Sequence, residues 1–317
     1  MPTLSPAATA FVFPGQGSQA LGMGRELAQA SAAARQAWAE ADAALGFALS
    51  QLCWDGPEAD LNATVNTQPA LLASSIAALR AVQEQLGDFR PAYLAGHSVG
   101  EVTALVAGGA LSFADGLRLV RARGQAMAAA GQRAPGAMAA ILNLDAPVLA
   151  EVCAEASAQT GGVVQVANDN CPGQVVISGE GPALEKAMEL AKARGAKRAL
   201  KLAVSVAAHS PLMQSGVAEY AAAVDAVAFQ MPQAPVISNL TARPLPDVAA
   251  IRAELPAQLT GPVRWTESVR YLVSQGIGVF VELGSKDVLT GLLKRIDANV
   301  AGVAVGMPEA VAGLGIG

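Results

Sequence analysis

The most informative segment of the chain is Gly96-His97-Ser98-Val99-Gly100. It follows a short apolar run at residues 92–95 and precedes a stretch rich in alanine, valine and leucine, so we expect the serine on a tight turn from a strand into a helix. Glycines suit such a turn because neighbouring segments must approach closely, and only a residue without a Cβ tolerates that approach. This nucleophile elbow predicts that Ser98 lies at the top of a sheet.

A serine hydroxyl is a poor nucleophile at neutral pH, and it needs a base that takes its proton. The chain has only two histidines. His97 is adjacent to Ser98, and adjacent side chains on a tight turn diverge. We therefore expect His209 to be the base, because a β-rich run ends there, just before Pro211, and a strand end can place an imidazole at a sheet edge. A solvated loop histidine is the alternative interpretation.

Composition narrows the class of protein. The 317 residues suffice for one large domain with an insertion or for two domains. A net charge of about −5 argues against general nucleic-acid binding. Three widely spaced cysteines and two histidines suggest neither a disulfide framework nor a metal site. The sequence has no recognisable signal peptide and no stretch typical of a membrane span, so we expect a soluble, cytoplasmic protein.

Strand-like and helix-like segments alternate along the chain, which favours an α/β fold with a mainly parallel sheet. Residues 131–135 are interpreted as a linker, and the segments that follow have the order β-α-β-β-α-β of a ferredoxin-like unit. We therefore predict a large α/β catalytic subdomain, residues 1–132 and 204–317, and a small ferredoxin-like subdomain, residues 133–203. The last predicted helix covers residues 288–296, and residues 307–317 are expected to be loose.

The predicted small subdomain carries the clearest charge cluster of the chain. Only Glu189 opposes the cations within that window. A solvated helix face is one interpretation, and a docking site for an acidic partner is the other. The basic cluster consists of Lys186, Lys192, Arg194, Lys197, Arg198 and Lys201.

One arginine has an unusual position on its predicted helix. With 100° per residue over residues 115–128, Arg123 falls inside the apolar arc, between Leu119 and Met127, whereas Arg118 and Arg121 fall outside it. A buried guanidinium is costly unless it is paired. A bound carboxylate would suit its planar fork, and an internal salt bridge is the alternative.

Several motifs occur together in a characteristic order, and they cover almost everything from residue 11 to residue 296. With them, the chain resembles the malonyl-CoA:acyl carrier protein transacylases of type II fatty acid synthesis. The motifs are Phe13-Pro14-Gly15-Gln16-Gly17-Ser18-Gln19, Thr67-Gln68-Pro69-Ala70, the elbow with Glu101, Arg123-Gly124, residues 205–209, and Pro262-Val263 to Trp265.

The resemblance implies a hydrolase-like parallel-sheet domain with an inserted ferredoxin-like subdomain. It also implies transfer of malonyl from malonyl-CoA to the phosphopantetheine thiol of acyl carrier protein, with no permanently bound cofactor, and it makes the basic cluster the candidate docking site for the carrier. The implied site residues are Ser98 as the acylated nucleophile, His209 as its base, Gln16 and Val99 as backbone donors of the oxyanion hole, Arg123 as the holder of the malonyl carboxylate, and Gln258, whose backbone carbonyl orients the imidazole.

The sequence departs from the usual family pattern at a few positions. Ala207 and Ala208 stand where bacterial members commonly have a proline and a serine, which leaves open the tolerance for larger malonyl derivatives. Arg264 replaces a residue that is often glutamine, and Thr260-Gly261 stand where Tyr-Asn is frequent.

Three other functions compete with malonyl transfer. They are a serine esterase or thioesterase on a related scaffold, the acyltransferase of a malonate decarboxylase or polyketide system, and a catalytically silent module that binds a carrier protein. A hydrolase would normally have an acidic triad member shortly before His209.

Overall fold

The computed structural model describes residues 3–204 and 206–316. Its strands, in chain order, are β1 (Thr9–Phe13), β2 (Tyr93–Gly96), β3 (Ala137–Leu142), β4 (Val164–Cys171), β5 (Gln174–Gly179), β6 (Arg198–Lys201), β7 (Val236–Ile237), β8 (Val279–Leu283) and β9 (Ala301–Val305). Its α-helices are α1 (Arg25–Ala30), α2 (Ala32–Leu45), α3 (Leu49–Asp55), α4 (Glu58–Asn62), α5 (Thr64–Leu86), α6 (Val99–Ala107), α7 (Phe113–Arg133), α8 (Ala146–Thr160), α9 (Gly181–Ala193), α10 (Gln214–Asp225), α11 (Val248–Ala257), α12 (Trp265–Ser274), α13 (Val288–Ile296) and α14 (Pro308–Ala312).

Five strands form a parallel sheet in the order β7-β2-β1-β8-β9. The central strand β1 is buried along its whole length, as expected for a strand covered on both faces. Phe11 and Phe13 pack on one face with α2, α5, α6 and α7, while Ala10 and Val12 pack on the other with α12 and α13. This helix-covered parallel sheet confirms the fold class predicted from the alternation of strand-like and helix-like segments.

The second sheet is antiparallel, in the order β4-β5-β3-β6. Helices α8 and α9 cover one of its faces, where Leu149 and Leu184 pack with Ile141 and Ile177. The β-α-β-β-α-β order predicted from the sequence is therefore confirmed. Strand β6 lies at one edge of this sheet, and β4 lies at the other.

The predicted linker at residues 131–135 is wrong. Helix α7 continues to Arg133, and its C-cap is Ala134, directly before Pro135. The reason is local, because the residue that precedes a proline disfavours the α conformation and the alanine-rich segment before it favours helix.

The predicted strand end at His209 is also wrong. Strand β6 ends at Lys201, and residues 206–210 form a loop in which His209 has φ +58°. The His209 N–H donates to the Leu259 carbonyl, 3.0 Å away, so this loop pairs with a non-strand segment and not with a sheet.

The C-terminal segment is more ordered than the sequence suggested. Strand β9 pairs with β8, and α14 follows α13, so the helix at residues 288–296 is not the last one. Leu314 is buried, and Leu4 forms a bridge with Ile316. Four residues on which predictions fell lie outside the described part of the chain, namely Met1, Pro2, Ser205 and Gly317. Within the described part, no helix has the length and apolar character that crossing a membrane requires.

Candidate active site

The elbow lies between the end of β2 and the start of α6. Ser98 has φ +55° and ψ −111°, a strained conformation that turns the chain sharply. A Cβ on Gly96 would overlap the backbone of Gly100, and a Cβ on Gly100 would overlap the carbonyl of Phe13. Both glycines are therefore required by the close approach of β1, β2 and α6, and this packing presents Ser98 at the carboxyl ends of the parallel strands.

The structure brings Ser98 and His209 together across 111 positions of sequence. Ser98 Oγ lies 2.8 Å from His209 Nε2. The neighbouring His97 turns away, and its Nε2 lies 2.8 Å from Asn170 Oδ1. Of the two imidazoles, only that of His209 is placed to take the serine proton.

Backbone carbonyls orient the His209 ring. Nδ1 lies 2.9 Å from the Gln258 carbonyl oxygen and 3.0 Å from that of Gly261. Because a carbonyl only accepts, Nδ1 carries the proton and Nε2 is left free to accept from the Ser98 hydroxyl. The acidic triad member that a hydrolase would normally have is replaced here by carbonyl oxygens.

His209 is held in its neutral form. Burial lowers the pKa of His209 from 6.5 to about 3, and its electrostatic interactions with Arg123 and His97 act in the same direction. The imidazole is only 3% exposed. A neutral imidazole is the form that acts as a base, so this environment keeps the resting site ready for proton removal.

The Arg123 side chain is buried beside the nucleophile, with 2% of the residue exposed. Its Nη1 donates to Gln68 Oε1 (3.1 Å), and its Nη2 donates to Ser98 Oγ (3.1 Å) and to Gln258 Oε1 (2.6 Å). Its Nε has no hydrogen-bond partner within the described residues. Burial lowers the pKa of Arg123, as expected for a cation whose hydrogen bonds end on neutral oxygens. This cation is suited to an anionic group that enters next to Ser98.

Gln258 connects several parts of the site. Its backbone carbonyl accepts from His209, its side-chain Oε1 accepts from Arg123, and its Nε2 donates to Glu101 Oε2 at 2.8 Å. Glu101 is fully buried, and burial raises the pKa of its carboxyl well above the ordinary value. The resemblance named only the carbonyl of Gln258. Sequence reasoning missed the roles of Glu101 and Gln68, although both lie inside the motifs that carry the resemblance.

Two residues of the same cavity have free backbone N–H groups. Gln16 and Val99 both line it, and within residues 3–204 and 206–316 neither N–H has a hydrogen-bond acceptor. Val99 is the first residue of α6, where a free N–H and the positive end of the helix dipole coincide. Such free donors beside a nucleophile can stabilise an oxyanion.

The cavity has a volume of about 300 Å³ and lies between the two sheets. Ser98 and Arg123 line it from the parallel-sheet side, and Met138 and Val176 line it from the antiparallel sheet. Ala208 is part of the wall, so its small side chain leaves room there. The described residues contain no cluster of histidine, cysteine, aspartate or glutamate that could hold a metal ion.

Two of the sequence departures, Arg264 and Ala207, are not among the residues that line this cavity. Arg264 points to Glu267, with Nη2 2.7 Å from Oε2, and it makes no hydrogen bond to Gln258. Ala207 is fully buried and packs close to Gly136.

The basic cluster is partly neutralised within the chain. Lys186 pairs with Glu189, Lys201 pairs with Glu185, and Arg194 pairs with two glutamates of α8. No ion pair within the described residues involves the remaining three cations, which are Lys192, Lys197 and Arg198.

Comparisons with known proteins show which family the chain belongs to. Residues 10–312 match the family described as "Acyl transferase domain". The malonyl CoA-acyl carrier protein transacylase of Escherichia coli (strain K12) is 46% identical over 303 residues, which cover 96% of this chain and 97% of that protein. The crystal structure of an acyl carrier protein S-malonyltransferase from Vibrio cholerae is 46% identical with a TM-score of 0.92, covering 96% of this chain and 99% of that one.

A third relative was solved with a partner. It is a malonyl-transacylase in complex with a type II PKS acyl-carrier protein, 44% identical with a TM-score of 0.92, and the match covers 96% of this chain and 97% of that one. The family match and the high identity over nearly the full length indicate the same family. The chain belongs to the acyl transferase domain family, among the malonyl-CoA:acyl carrier protein transacylases.

Proposed function

We propose that this chain transfers the malonyl group from malonyl-CoA to the phosphopantetheine thiol of acyl carrier protein, through an ester on Ser98. The observation that carries this proposal is a buried cation, Arg123, 3.1 Å from the hydroxyl that His209 activates. An acyl group with a free carboxylate would fit this arrangement. The names of the similar proteins point to the same acyl group and acceptor.

The first half-reaction loads the enzyme. Ser98 Oγ attacks the thioester carbonyl carbon while His209 Nε2 takes the hydroxyl proton. The N–H groups of Gln16 and Val99 stabilise the oxyanion that forms, a contribution of about 3 kcal/mol for a well-placed donor. The carbon–sulfur bond then breaks, and His209 returns the proton to sulfur, so that CoA leaves as a thiol.

The second half-reaction transfers the malonyl group from Ser98 to the carrier. The phosphopantetheine thiol gives its proton to His209, and its sulfur attacks the ester carbonyl carbon. The bond to Ser98 Oγ breaks, and the serine regains its proton from His209. One thioester is exchanged for another, and the residues described need no permanently bound cofactor for these steps.

Arg123 provides acyl selectivity in this scheme. The malonyl carboxylate pairs with the guanidinium by two parallel hydrogen bonds. Acetyl lacks that carboxylate, and its binding would leave a buried cation without an anion, which penalises the wrong substrate strongly. A simple esterase would gain nothing from a buried arginine at this position, so Arg123 favours the transferase over the esterase alternative.

We further propose that acyl carrier protein docks at the basic cluster, where Lys192, Lys197 and Arg198 remain available to an acidic surface. This placement keeps the small subdomain, residues 133–203, as the docking unit and residues 1–132 and 204–317 as the catalytic unit. The division at these boundaries and the cytoplasmic location stay predictions.

Radiolabelled malonyl-CoA and acetyl-CoA test the proposed function. We expect label from malonyl-CoA to be retained on the enzyme and passed on only when carrier protein is added, with little loading from acetyl-CoA. The Ser98→Ala variant is the control and should retain no label. Release of malonate to water at a rate comparable to transfer would favour the esterase and contradict this function.

A further inference from the structure

Gln165 reaches from the antiparallel sheet to the loop that carries the catalytic base. It lies in β4, and its side-chain Nε2 donates to the His209 carbonyl oxygen at 2.8 Å and to the Thr260 carbonyl oxygen at 2.9 Å. We infer that Gln165 is a positioning residue, which holds His209 against its acceptor carbonyls. This inference rests on the proposed function of His209 as the base.

The backbone conformation of His209 requires hydrogen bonds from other segments. Its φ of +58° belongs to the left-handed region, which a residue with a side chain adopts only when its surroundings enforce it. Its N–H donates to the Leu259 carbonyl oxygen, and its own carbonyl oxygen accepts from the Gln165 side-chain amide. Gln165 thus supplies the second of the two backbone restraints on His209.

The second bond of the Gln165 amide ties two segments together. Thr260 lies between Gln258 and Gly261, whose carbonyls accept from His209 Nδ1. One amide therefore fixes the segment that carries the imidazole relative to the segment that orients it. A side-chain amide has two N–H hydrogens, one for each carbonyl. An ionised glutamate cannot donate, and an asparagine is one methylene shorter.

The contact between the two units does not depend on Gln165 alone. Val263 N–H donates to the Ala167 carbonyl (2.8 Å), and Asp169 N–H donates to the Val263 carbonyl (2.9 Å). Thr266 Oγ1 also donates to Asp169 Oδ1 at 2.7 Å. Loss of the Gln165 amide should therefore leave this strand in place and loosen only the His209 loop.

The Gln165→Met variant tests the inference, because methionine has a similar length and no donor. We expect kcat for malonyl transfer to fall by about tenfold to a hundredfold, since small misplacement of a catalytic group has effects of that size. The KM for malonyl-CoA should stay within about twofold, because Gln165 is not among the residues that line the cavity. Gln159→Met, on the exposed side of α8 in the same unit, is the matched control.

The pH profile separates positioning from a general structural loss. In Gln165→Glu, an ionised carboxylate beside the loop stabilises the imidazolium and raises the pKa of His209. The acid limb of the kcat/KM profile should therefore move to higher pH than in the wild type. A merely structural defect would lower the rate and leave the limb in place, and that result would overturn the inference.

Labelling of Ser98 by a fluorophosphonate keeps the test independent of the acyl donor. This probe reports activation of Ser98 by His209, so slower labelling of Gln165→Met supports the inference even if the wild type fails to transfer malonyl. A wild type that is labelled and does not transfer malonyl would contradict only the proposed function. If Gln165→Met does not fold, Gln165→Asn takes its place. A labelling rate and kcat within twofold of those of Gln159→Met would refute the positioning role.

Discussion

At the scale of single residues, the site consists of charged and polar groups that are buried without a charged partner. Arg123 donates only to neutral oxygens, and His209 Nδ1 donates to two backbone carbonyl oxygens. The sequence predicted that Arg123 faces inward, because helical periodicity is a local property. It did not predict the oxygens around the guanidinium, since Gln68 and Gln258 come from distant segments.

Replacing Arg123 tests its role in selectivity. Arg123→Ala should lower the kcat/KM for malonyl-CoA by about a hundredfold or more, because a charge-assisted pair in a buried site is lost. The ratio of the malonyl loading rate to the acetyl loading rate should therefore also fall. Initial rates of Ser98 acylation from both donors measure this. Arg118→Ala, exposed on the same helix, is the control, and an unchanged ratio in Arg123→Ala would remove Arg123 from the substrate site.

The depressed pKa of His209 predicts a pH dependence of stability. In the folded protein His209 stays neutral down to a pKa of about 3, whereas in the unfolded chain it takes a proton near pH 6.5. Between these values the unfolded state binds more protons, so the free energy of unfolding falls as the pH falls. The contribution between pH 6.5 and pH 5 is about 2 kcal/mol.

Urea unfolding at both pH values measures this contribution. The wild type should lose more stability than His209→Gln over the same interval, since the variant lacks the titrating imidazole. Equal losses in the two proteins would mean that the native site accepts the proton at its ordinary pKa.

At the scale of elements, the elbow depends on how closely α6 approaches the strand next to it. Gly96 and Gly100 stand where a Cβ would meet backbone and not a movable side chain. The sequence predicted this element well, because a strand, a glycine-flanked turn and a helix are all local signals. It failed at the His209 loop, whose backbone pairs with Leu259 and not with a strand.

A single methyl group tests this packing. Gly100→Ala should lower the free energy of unfolding by about 3 kcal/mol, because the new Cβ would press on the Phe13 carbonyl and the backbone would have to shift. Gly291→Ala is the matched control, since Gly291 is also helical and nothing lies near its hypothetical Cβ. The control should gain up to about 1 kcal/mol from helix propensity. Equal stabilities of the two variants in urea unfolding would show that α6 can move away from β1 at little cost.

At the scale of the whole molecule, the active site exists only where the two sheets meet. The cavity takes its nucleophile from the parallel sheet and part of its wall from the antiparallel sheet. Through Asn170 and Gln165, β4 also contacts His97 and the His209 loop. The unit proposed to dock the carrier therefore touches both histidines beside the nucleophile.

Charge reversal tests the docking proposal. The double variant Lys197→Glu, Arg198→Glu should raise the KM for acyl carrier protein by about tenfold, because rim charges steer an acidic partner. Loading of Ser98 should stay within about twofold when malonyl-N-acetylcysteamine is the donor, since this donor lacks the charged nucleotide of CoA. Arg90→Glu is the control, because Arg90 precedes β2 and lies at the amino end of the parallel sheet. An unchanged KM for the carrier in the double variant would place docking elsewhere.

Features that depend on neighbours along the chain could be predicted from the sequence. The elbow at Ser98, the β-α-β-β-α-β order and the inward face of Arg123 all follow from local turn chemistry and periodicity. The groups that surround those side chains are set by tertiary packing. The acceptor carbonyls of His209, the amide of Gln165 and the pairing of β9 with β8 each join distant segments. Only the packed chain brings such segments within hydrogen-bond distance, because no local pattern encodes their register.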